Sequence, residues 1–340
     1  MHVAIVGAGS LGSVFGVRLA NGAEKVRVSF VMRSAPAPGR EPLGMRIEQV
    51  DRGSGVLALE APVRTTAIPA DADVILVCVR FEQVDGALAA LLAPSRAPVV
   101  TMTPIFPQHH ALLVRELGAE RLFPGMPGVV AYSPGPGETS NGEGAPCVRY
   151  RYWLPRAATT LIEQPERRVP AIDALAQAFE GAGISSRAQA GVHATNVATT
   201  CTFVPVMMGI DVTGSIDALL GDDTALDLVL RAAEEARILA RHYGKPAIWA
   251  DWFVRFLSRS RLGAWAPKAM VAQSLRLGVG FARRRSPEGV AYVEEHFGRK
   301  LRAQNLQMAE KMVELFRERS LPHEAMAELR DRLRGPGSVA

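Results

Sequence analysis

Short apolar runs alternate with helical patterns along the first half of the chain. His2–Val6, Val26–Met32, Val74–Val79 and Pro98–Met102 have the length of buried strands. The segment Leu11–Ala20 lies between the first two runs and has the spacing of a helix. Strands that alternate with helices in this way are typical of a parallel sheet with helices on both faces. The pattern therefore predicts an α/β fold for this half of the chain.

The pattern changes toward the end of this first domain. Gly and Pro are frequent from Phe123 to Pro146, and the polar–apolar stretch Cys147–Leu154 is expected to close the sheet with antiparallel strands. A helix over Val169–Ala182 and a short strand over Ile184–Ala188 then complete the domain. Beyond this strand the chain is rich in Ala, Leu, Met and Arg, which predicts an almost entirely helical second half. The predicted domains are residues 1–188 and 189–340.

Length and composition agree with two soluble domains. A chain of 340 residues that is 48% hydrophobic is longer than one ordinary core requires. It contains no run of about 20 apolar residues and starts without a basic, apolar leader. We therefore expect a cytoplasmic protein with no membrane partner.

The residues that most often bind metals do not form a ligand pattern. Cys78, Cys147 and Cys201 lack C-x-x-C spacing, so we predict reduced, buried thiols and neither disulfides nor a zinc site. His109 and His110 have no carboxylate or cysteine at ligand spacing. We interpret them as exposed loop histidines and predict no metal site.

Basic residues cluster in the second half of the chain, although the net charge is only +5. They are Arg255, Arg259, Arg261, Lys268, Arg276, Arg283, Arg284 and Arg285. A basic face attracts anions, but no nucleic-acid-binding motif accompanies this one. We interpret it as a solvated helix face and expect no nucleic-acid partner.

A G-x-G-x-x-G motif joins the first predicted strand to the first predicted helix. Gly7 permits a tight turn, Gly9 lets backbone amides approach a pyrophosphate, and Gly12 allows close contact between helix and strand. The helix N-terminus adds partial positive charge. This context favours dinucleotide binding over a purely structural turn, and so predicts a Rossmann domain. The predicted cofactor-binding residues of the motif are Gly7, Gly9, Ser10, Leu11 and Gly12.

The end of the second predicted strand indicates which dinucleotide is preferred. A 2′-hydroxyl is usually bound by an acidic residue at this point, and a 2′-phosphate by a cation. The sequence has Met32, Arg33 and Ser34, with Arg40 nearby and no carboxylate among them. We therefore predict NADPH as the cofactor, with Arg33 binding its 2′-phosphate.

With these features the chain resembles the ketopantoate reductase family, two-domain enzymes that use NADPH to reduce an α-keto acid. The similarity includes Gly44–Ile47, which resembles the second-strand hairpin of the family, and Ala72–Gln83. In the family the latter segment carries a Lys and, three residues later, often a Gln near the cofactor. Arg80 and Gln83 stand at these positions, so the resemblance implies that both bind the cofactor. It also implies a homodimer through the helical domain.

Three departures from the family pattern bear on the chemistry. The family has an Asn-Gly pair facing the nicotinamide after the fifth strand, where this chain has Pro104 and Ile105. Asn196 stands at the catalytic lysine of the family, and Thr200 stands at its first asparagine. An amide can hold a carbonyl oxygen but is not an ordinary general acid near neutral pH. The Ser and Glu pattern of the family's C-terminal helices is also missing.

Candidates for the missing acid come from two helical patterns. His193, Asn196 and Thr200 share one face of a predicted helix, which makes His193 a candidate acid and the other two hydrogen-bonding groups. A surface histidine at the start of a helix is the alternative interpretation of His193. His296 and Lys300 share a face of a later helix and form the rival acid pair, with a solvated helix as the alternative.

The sequence thus predicts an NADPH-dependent oxidoreductase of the ketopantoate reductase type that reduces the carbonyl of a small molecule other than ketopantoate. Two alternatives stay open, because a shared fold does not fix a reaction. One is an isomerase or cyclase that uses bound nucleotide without net redox change. The other is a catalytically inactive NADPH-sensing protein.

Overall fold

The computed structural model describes residues 1–24, 26–34, 44–51, 55–133, 147–155, 158–247, 268–285, 290–291, 293–294 and 301–335. The chain forms two compact units, Met1–His193 and Ala194–Ala340. The first unit is mixed α/β, and the described part of the second unit is helical. This arrangement confirms the predicted fold class, an N-terminal Rossmann-like region followed by a helical C-terminal region.

All strands among the described residues lie in the first unit. In chain order they are β1 (His2–Val6), β2 (Arg27–Val31), β3 (Gly44–Gln49), β4 (Val56–Leu59), β5 (Val63–Thr65), β6 (Val74–Val77), β7 (Val99–Thr101), β8 (Leu122–Met126), β9 (Val130–Tyr132), β10 (Cys147–Trp153), β11 (Thr160–Glu163) and β12 (Ser186–Gln189).

An eight-stranded sheet forms the centre of this unit, in the order β12-β11-β8-β7-β6-β1-β2-β5. The strands from β8 to β5 in that order pair in parallel, and β11 is antiparallel to β8. All residues of β1 and β6 are buried, which is typical of parallel strands covered on both faces. The carboxyl ends of β1, β2, β6 and β7 therefore lie along one edge of the sheet.

The stretch around Cys147–Leu154 does not close this sheet, so that prediction was wrong. Strand β10 belongs to a separate four-stranded sheet in the order β4-β3-β10-β9, where it is parallel to β3 and antiparallel to β9. The alternation along β10 buries Tyr152 fully and half-buries Tyr150 against the rest of the unit. A two-residue period of this kind favours a strand but does not determine its partner.

Helices cover the large sheet on both faces. They are α1 (Ser10–Asn21), α2 (Gly86–Leu92), α3 (Pro107–Leu117) and α4 (Pro170–Gly181), with 3₁₀ turns at Phe81–Gln83 and Ala119–Arg121. On one face α1, α4 and the smaller sheet share a core in which the Phe15 and Phe179 rings lie 4.9 Å apart. On the other face α2 and α3 pack through Leu88 and Leu113.

The described part of the second unit is helical. Its helices are α5 (Val192–Thr213, beginning at the end of the first unit), α6 (Ile216–Gly221), α7 (Asp223–Tyr243), α8 (Lys268–Arg285), α9 (Arg302–Glu318) and α10 (Glu324–Arg334). Ser215 caps α6 and Asp222 caps α7 through their side-chain oxygens. Among the helices described, none is long and apolar enough to cross a membrane.

Two residues of the basic cluster make contacts within this unit. Arg276 donates to the Leu220 carbonyl at 2.7 Å, and Arg283 pairs with Asp217 at 2.9 Å and with Glu294 at 3.1 Å. Both cations are therefore engaged by this chain. Arg255, Arg259 and Arg261 lie outside the described residues.

Candidate functional site

The glycine loop between β1 and α1 is packed so closely that two of its positions exclude a side chain. Gly7 has a φ of +100°, and a Cβ there would lie 2.7 Å from the Cys78 carbonyl oxygen. A Cβ on Gly12 would lie 2.0 Å from the Gly7 carbonyl oxygen. Glycine is therefore required at both positions, which lets α1 start directly against β1 and the end of β6.

The tip of this loop is open, in contrast to its two ends. Gly9 is exposed, and a Cβ there would meet nothing within 4 Å. Gly9 is also the N-cap of α1, so no side chain caps the helix, and the first turn contains no acidic residue. The first amides of a helix have no partner inside it and carry partial positive charge. The helix start at Ser10 and Leu11 thus fits an anion such as a pyrophosphate.

The smaller sheet and the first helix both donate hydrogen bonds to the loop. The hydroxyls of Tyr150 and Ser13 both donate to the Ala8 carbonyl oxygen, each at 3.2 Å. Burial raises the pKa of Tyr150, and the Ser13 hydroxyl and the nearby Arg64 cation partly oppose that shift. Sequence reasoning did not identify Tyr150 or Ser13 as part of the site. The alternation that pairs Tyr150 with Tyr152 on one face of β10 was the available signal.

Arg33 follows β2 at the same sheet edge as the glycine loop. Val6 of β1 lies opposite Val31 of β2, so the glycine loop and residues 32–34 leave the sheet side by side. The side chains of Arg33 and Ser34 are exposed. This position suits a cation that binds a ligand phosphate; Arg40 lies outside the described residues.

Arg80 and Gln83 lie in the turn that follows β6. Gln83 Oε1 accepts the backbone amide proton of Arg80 at 3.1 Å, and the backbone amide of Gln83 donates to the Arg80 carbonyl oxygen at 2.9 Å. Arg80 is exposed and its Nε lies 3.1 Å from Glu82 Oε1. Gln83 therefore shapes the turn, while the Arg80 guanidinium stays at the surface beside a carboxylate.

The segment after β7 is hydrogen-bonded to the chain after β6 and packs against this turn. The Thr103 hydroxyl donates to the Val79 carbonyl, and the Phe81 ring lies 5.2 Å from that of Phe106 and 4.5 Å from that of His109. His109 and His110 are on helix α3, and His109 is buried. Our interpretation of this pair as exposed loop histidines was wrong, because the apolar Phe81 ring covers His109.

His193 contacts the same segment from the start of α5. Its Nε2 lies 3.1 Å from the Ile105 carbonyl oxygen, and its ring stacks on that of His110 with centroids 4.3 Å apart. Glu163 accepts the backbone amide protons of Gly191 at 2.7 Å and of His193 at 2.8 Å. His193 is thus half-buried and held by specific contacts, and it is not a solvated histidine at the start of a helix.

The protonation of this histidine pair follows from its surroundings. Burial lowers the pKa of His193, although its bond to the Ile105 carbonyl opposes the shift. Burial and the neighbouring His193 lower the pKa of His110, and Glu163 acts in the opposite direction. A carbonyl oxygen only accepts, so the His193 Nε2 must carry a proton. Neutral His193 therefore has its donor directed to the backbone and its acceptor at Nδ1.

Asn196 and Thr200 lie on the next turns of α5, and both are buried. The Thr200 hydroxyl donates to Asn196 Oδ1 at 3.3 Å, a contact that orients the amide. Their predicted roles in catalysis stay predictions. His296 and Lys300, the rival acid pair, lie outside the described residues.

The sequence model of one protein family, described as Ketopantoate reductase PanE/ApbA, matches residues 3–145. The matched region contains the glycine loop, Arg33 and the turns after β6 and β7. The match confirms the resemblance inferred from the sequence for this part of the chain. None of the curated proteins matches the chain.

Solved structures share the fold over nearly the whole chain. The 2-dehydropantoate 2-reductase from Geobacter metallireducens GS-15 is 17% identical, with a TM-score of 0.61 over 98% of this chain and 99% of that chain. The PanE/ApbA family ketopantoate reductase from Ralstonia eutropha JMP134 is 18% identical, with a TM-score of 0.64 over 98% and 97%. D-mandelate dehydrogenase with NADH and anilino(oxo)acetate is 13% identical, with a TM-score of 0.59 over 98% and 97%. At these identities the similarity is evidence of a common fold.

Proposed function

We propose that this protein is an NADPH-dependent oxidoreductase that reduces the carbonyl of a small molecule other than ketopantoate, because residues 3–145 match the sequence model of the ketopantoate reductase family. The main observation behind this proposal is the glycine loop. It has no space for a side chain at Gly7 or Gly12, whereas a Cβ at Gly9 would meet nothing within 4 Å. Bound NADPH supplies the hydride in such a reaction. Residues 1–188 bind the nucleotide in this proposal, and residues 189–340 bind the substrate and form a homodimer in the cytoplasm.

The preference for NADPH over NADH rests on the residues after β2. Arg33 is exposed there, and neither Met32 nor Ser34 offers a carboxylate to a ribose 2′-hydroxyl. A guanidinium binds a phosphate through charge-assisted hydrogen bonds. Arg33 therefore holds the 2′-phosphate, and Ser10 and Leu11 donate backbone amides to the pyrophosphate. Arg80 and Gln83 complete the proposed cofactor site.

Asn196 and His193 support a substrate other than ketopantoate. The family has a lysine where this chain has Asn196, and an amide cannot supply a proton as an acid. Thr200 orients the Asn196 amide, which we propose donates to the substrate carbonyl oxygen. His193, whose pKa burial lowers, is neutral near pH 7 with its one ring proton on Nε2, and it gains the second proton only in more acidic solution. His296 and Lys300 stay the proposed rival acids.

Two titrations test the cofactor assignment. We expect NADPH to bind more tightly than NADH, and Arg33→Glu to weaken NADPH about tenfold or more while NADH binding changes little. Arg187→Glu makes the same charge change at an exposed position on β12, the opposite edge strand of the sheet, and should alter neither affinity. If wild-type protein binds neither nucleotide, the proposed function is wrong.

A panel of carbonyl compounds tests the reaction. Nicotinamide absorbance is followed with ketopantoate, with aliphatic and aromatic 2-keto acids, and with ketones and aldehydes. We expect NADPH to be oxidised by a member of the panel other than ketopantoate. Binding of NADPH without net oxidation would favour the isomerase or NADPH-sensor alternatives, to which the commitment of the His193 proton to Ile105 lends some support.

A further inference from the structure

The end of β7 and the segments that follow β6 and β7 contain buried polar atoms with no hydrogen-bond partner among the residues that the structure describes. These atoms are Glu82 Oε2, Thr101 Oγ1, and both Oε1 and Nε2 of Gln108. A buried polar group without a partner destabilises a folded protein, and native structures contain few of them. Gln108 is the clearest case because both ends of its amide are unsatisfied.

Gln108 lies in the first turn of α3, between two groups of the candidate site. Its neighbour His109 packs on Phe81 in the turn after β6, and His110 stacks on His193. Val99 of β7 belongs to the core beneath α2 and α3, so by strand alternation Thr101 faces the same layer. The unsatisfied hydroxyl of Thr101 and the unsatisfied amide of Gln108 therefore belong to one side of the sheet, where β7 ends.

The path of a bound dinucleotide along the carboxyl ends of the strands determines which part of it lies near the Gln108 amide. Arg33 assigns the adenosine half to the end of β2, on one side of β1. The nicotinamide half then extends over the ends of β6 and β7, on the other side of β1. A glutamine amide has donors on nitrogen and an acceptor on oxygen. The nicotinamide carboxamide has the same pair of groups, so the two amides can exchange two hydrogen bonds.

We propose that the side-chain amide of Gln108 binds the carboxamide of the nicotinamide ring. This inference rests on the proposed function, because it requires that the protein binds a pyridine dinucleotide. Gln108 is then a binding residue that fixes the orientation of the ring, and its lack of a partner among the described residues reflects a partner supplied by the ligand.

Gln108→Met tests the proposal with two readouts that should move in opposite senses. Methionine keeps an unbranched side chain of similar length but removes both polar atoms. We expect the melting temperature of the nucleotide-free protein to rise, since an unsatisfied amide is lost. We expect NADPH affinity to fall about five- to tenfold, and the affinity for adenosine 2′,5′-bisphosphate, which lacks nicotinamide, to stay the same.

Gln307→Met is the matched control. Gln307 lies on α9, and its Oε1 is also buried with no hydrogen-bond partner in the described part of the chain. This variant also removes a buried oxygen that has no partner among the described residues, and it should bind NADPH like the wild type. Gln108→Glu keeps the shape but removes the amide donor, and should also weaken NADPH, which gives a second test should Gln108→Met not fold.

The outcomes separate this inference from the proposed function. If wild-type protein binds NADPH and Gln108→Met and Gln108→Glu bind it equally well, the inference is wrong and the proposed function stands. If Gln108→Met weakens the affinities for NADPH and adenosine 2′,5′-bisphosphate equally, or lowers the melting temperature, the Gln108 amide has a structural role. Either result would also show that the inference is wrong. If wild-type protein binds neither nucleotide, both proposals fail.

Discussion

The two halves of the candidate site differ in how completely the protein satisfies its own groups. In the glycine loop, Gly12 contacts Gly7 without space for a methyl group, and the Ala8 carbonyl accepts two hydroxyls. At the end of β7 and in the helix that follows it, Thr101 and Gln108 have buried polar atoms with no partner among the described residues. The first half is therefore preorganised by packing, and the second half has hydrogen-bonding capacity that a ligand would use.

This difference predicts how substitutions in each half should act. Changes in the packed half should lower stability first and nucleotide binding as a consequence. Changes in the unsatisfied half should affect binding while stability stays the same or rises. Measuring unfolding and binding together for each variant tests whether the two halves are distinct.

The largest effect is expected for Gly12→Ala. The new methyl group would lie 2.0 Å from the Gly7 carbonyl oxygen, and such overpacking costs about 1–3 kcal/mol or more. Urea unfolding should show this loss, and NADPH binding should be abolished because the loop has to move. A Gly12→Ala protein as stable as the wild type would show that the loop is not tightly packed.

Gly9→Ala is the control inside the same loop. Its methyl group meets nothing within 4 Å and its φ of −75° suits alanine, so the unfolding free energy should change by no more than about 0.5 kcal/mol. The same methyl would stand where we expect the pyrophosphate, so NADPH affinity should fall about tenfold or more.

A medium effect is expected from pH, through His110 and His193. Burial lowers both pKa values in the folded protein, so below about pH 6.5 the unfolded chain binds more protons than the folded one. Stability should therefore be complete above that pH and decrease as the pH falls from about 6.5 toward the lowered values. The loss is at most about 1.4 kcal/mol for each unit of lowering, and smaller for the more exposed His110 because solvent screens it.

Unfolding of wild-type protein and of the His110→Gln/His193→Gln double variant between about pH 5 and 8 checks this effect. The double variant should lose part of the acid-dependent decrease. Identical pH profiles for the two proteins would contradict the burial of the stacked pair.

The smallest effect is expected for Tyr150→Phe. The variant removes one hydroxyl from the Ala8 carbonyl while Ser13 stays, so NADPH affinity should fall about two- to fourfold. Tyr152→Phe is matched on the same strand, since its hydroxyl contacts Gln49 Oε1 at 3.3 Å and not the loop. Equal NADPH affinities for the two variants would show that Tyr150 does not support the loop.

Local sequence patterns were sufficient to predict elements whose structure depends on residues close to them in the chain. The helix predicted over Leu11–Ala20 spans Ser10–Asn21, and the first strand has the predicted bounds. The helical second half was likewise visible in its composition. In contrast, β10 pairs with β3, which is about 100 residues earlier in the chain. No local pattern specifies such a pairing.

The sequence by itself determined the glycine loop, the Arg33 position, the strands β1, β2, β6 and β7 and the helices α1 and α4, because glycine conformations and hydrophobic periods act over a few residues. Only the tertiary structure decided which groups meet around the loop. The Tyr150 hydroxyl reaches the Ala8 carbonyl from 142 residues away, and His193 reaches the Ile105 carbonyl from 88 residues away. Such contacts follow from how sheets and helices pack, so the burial of the histidines and the absence of a partner for the Gln108 amide among the described residues become visible only in the folded chain.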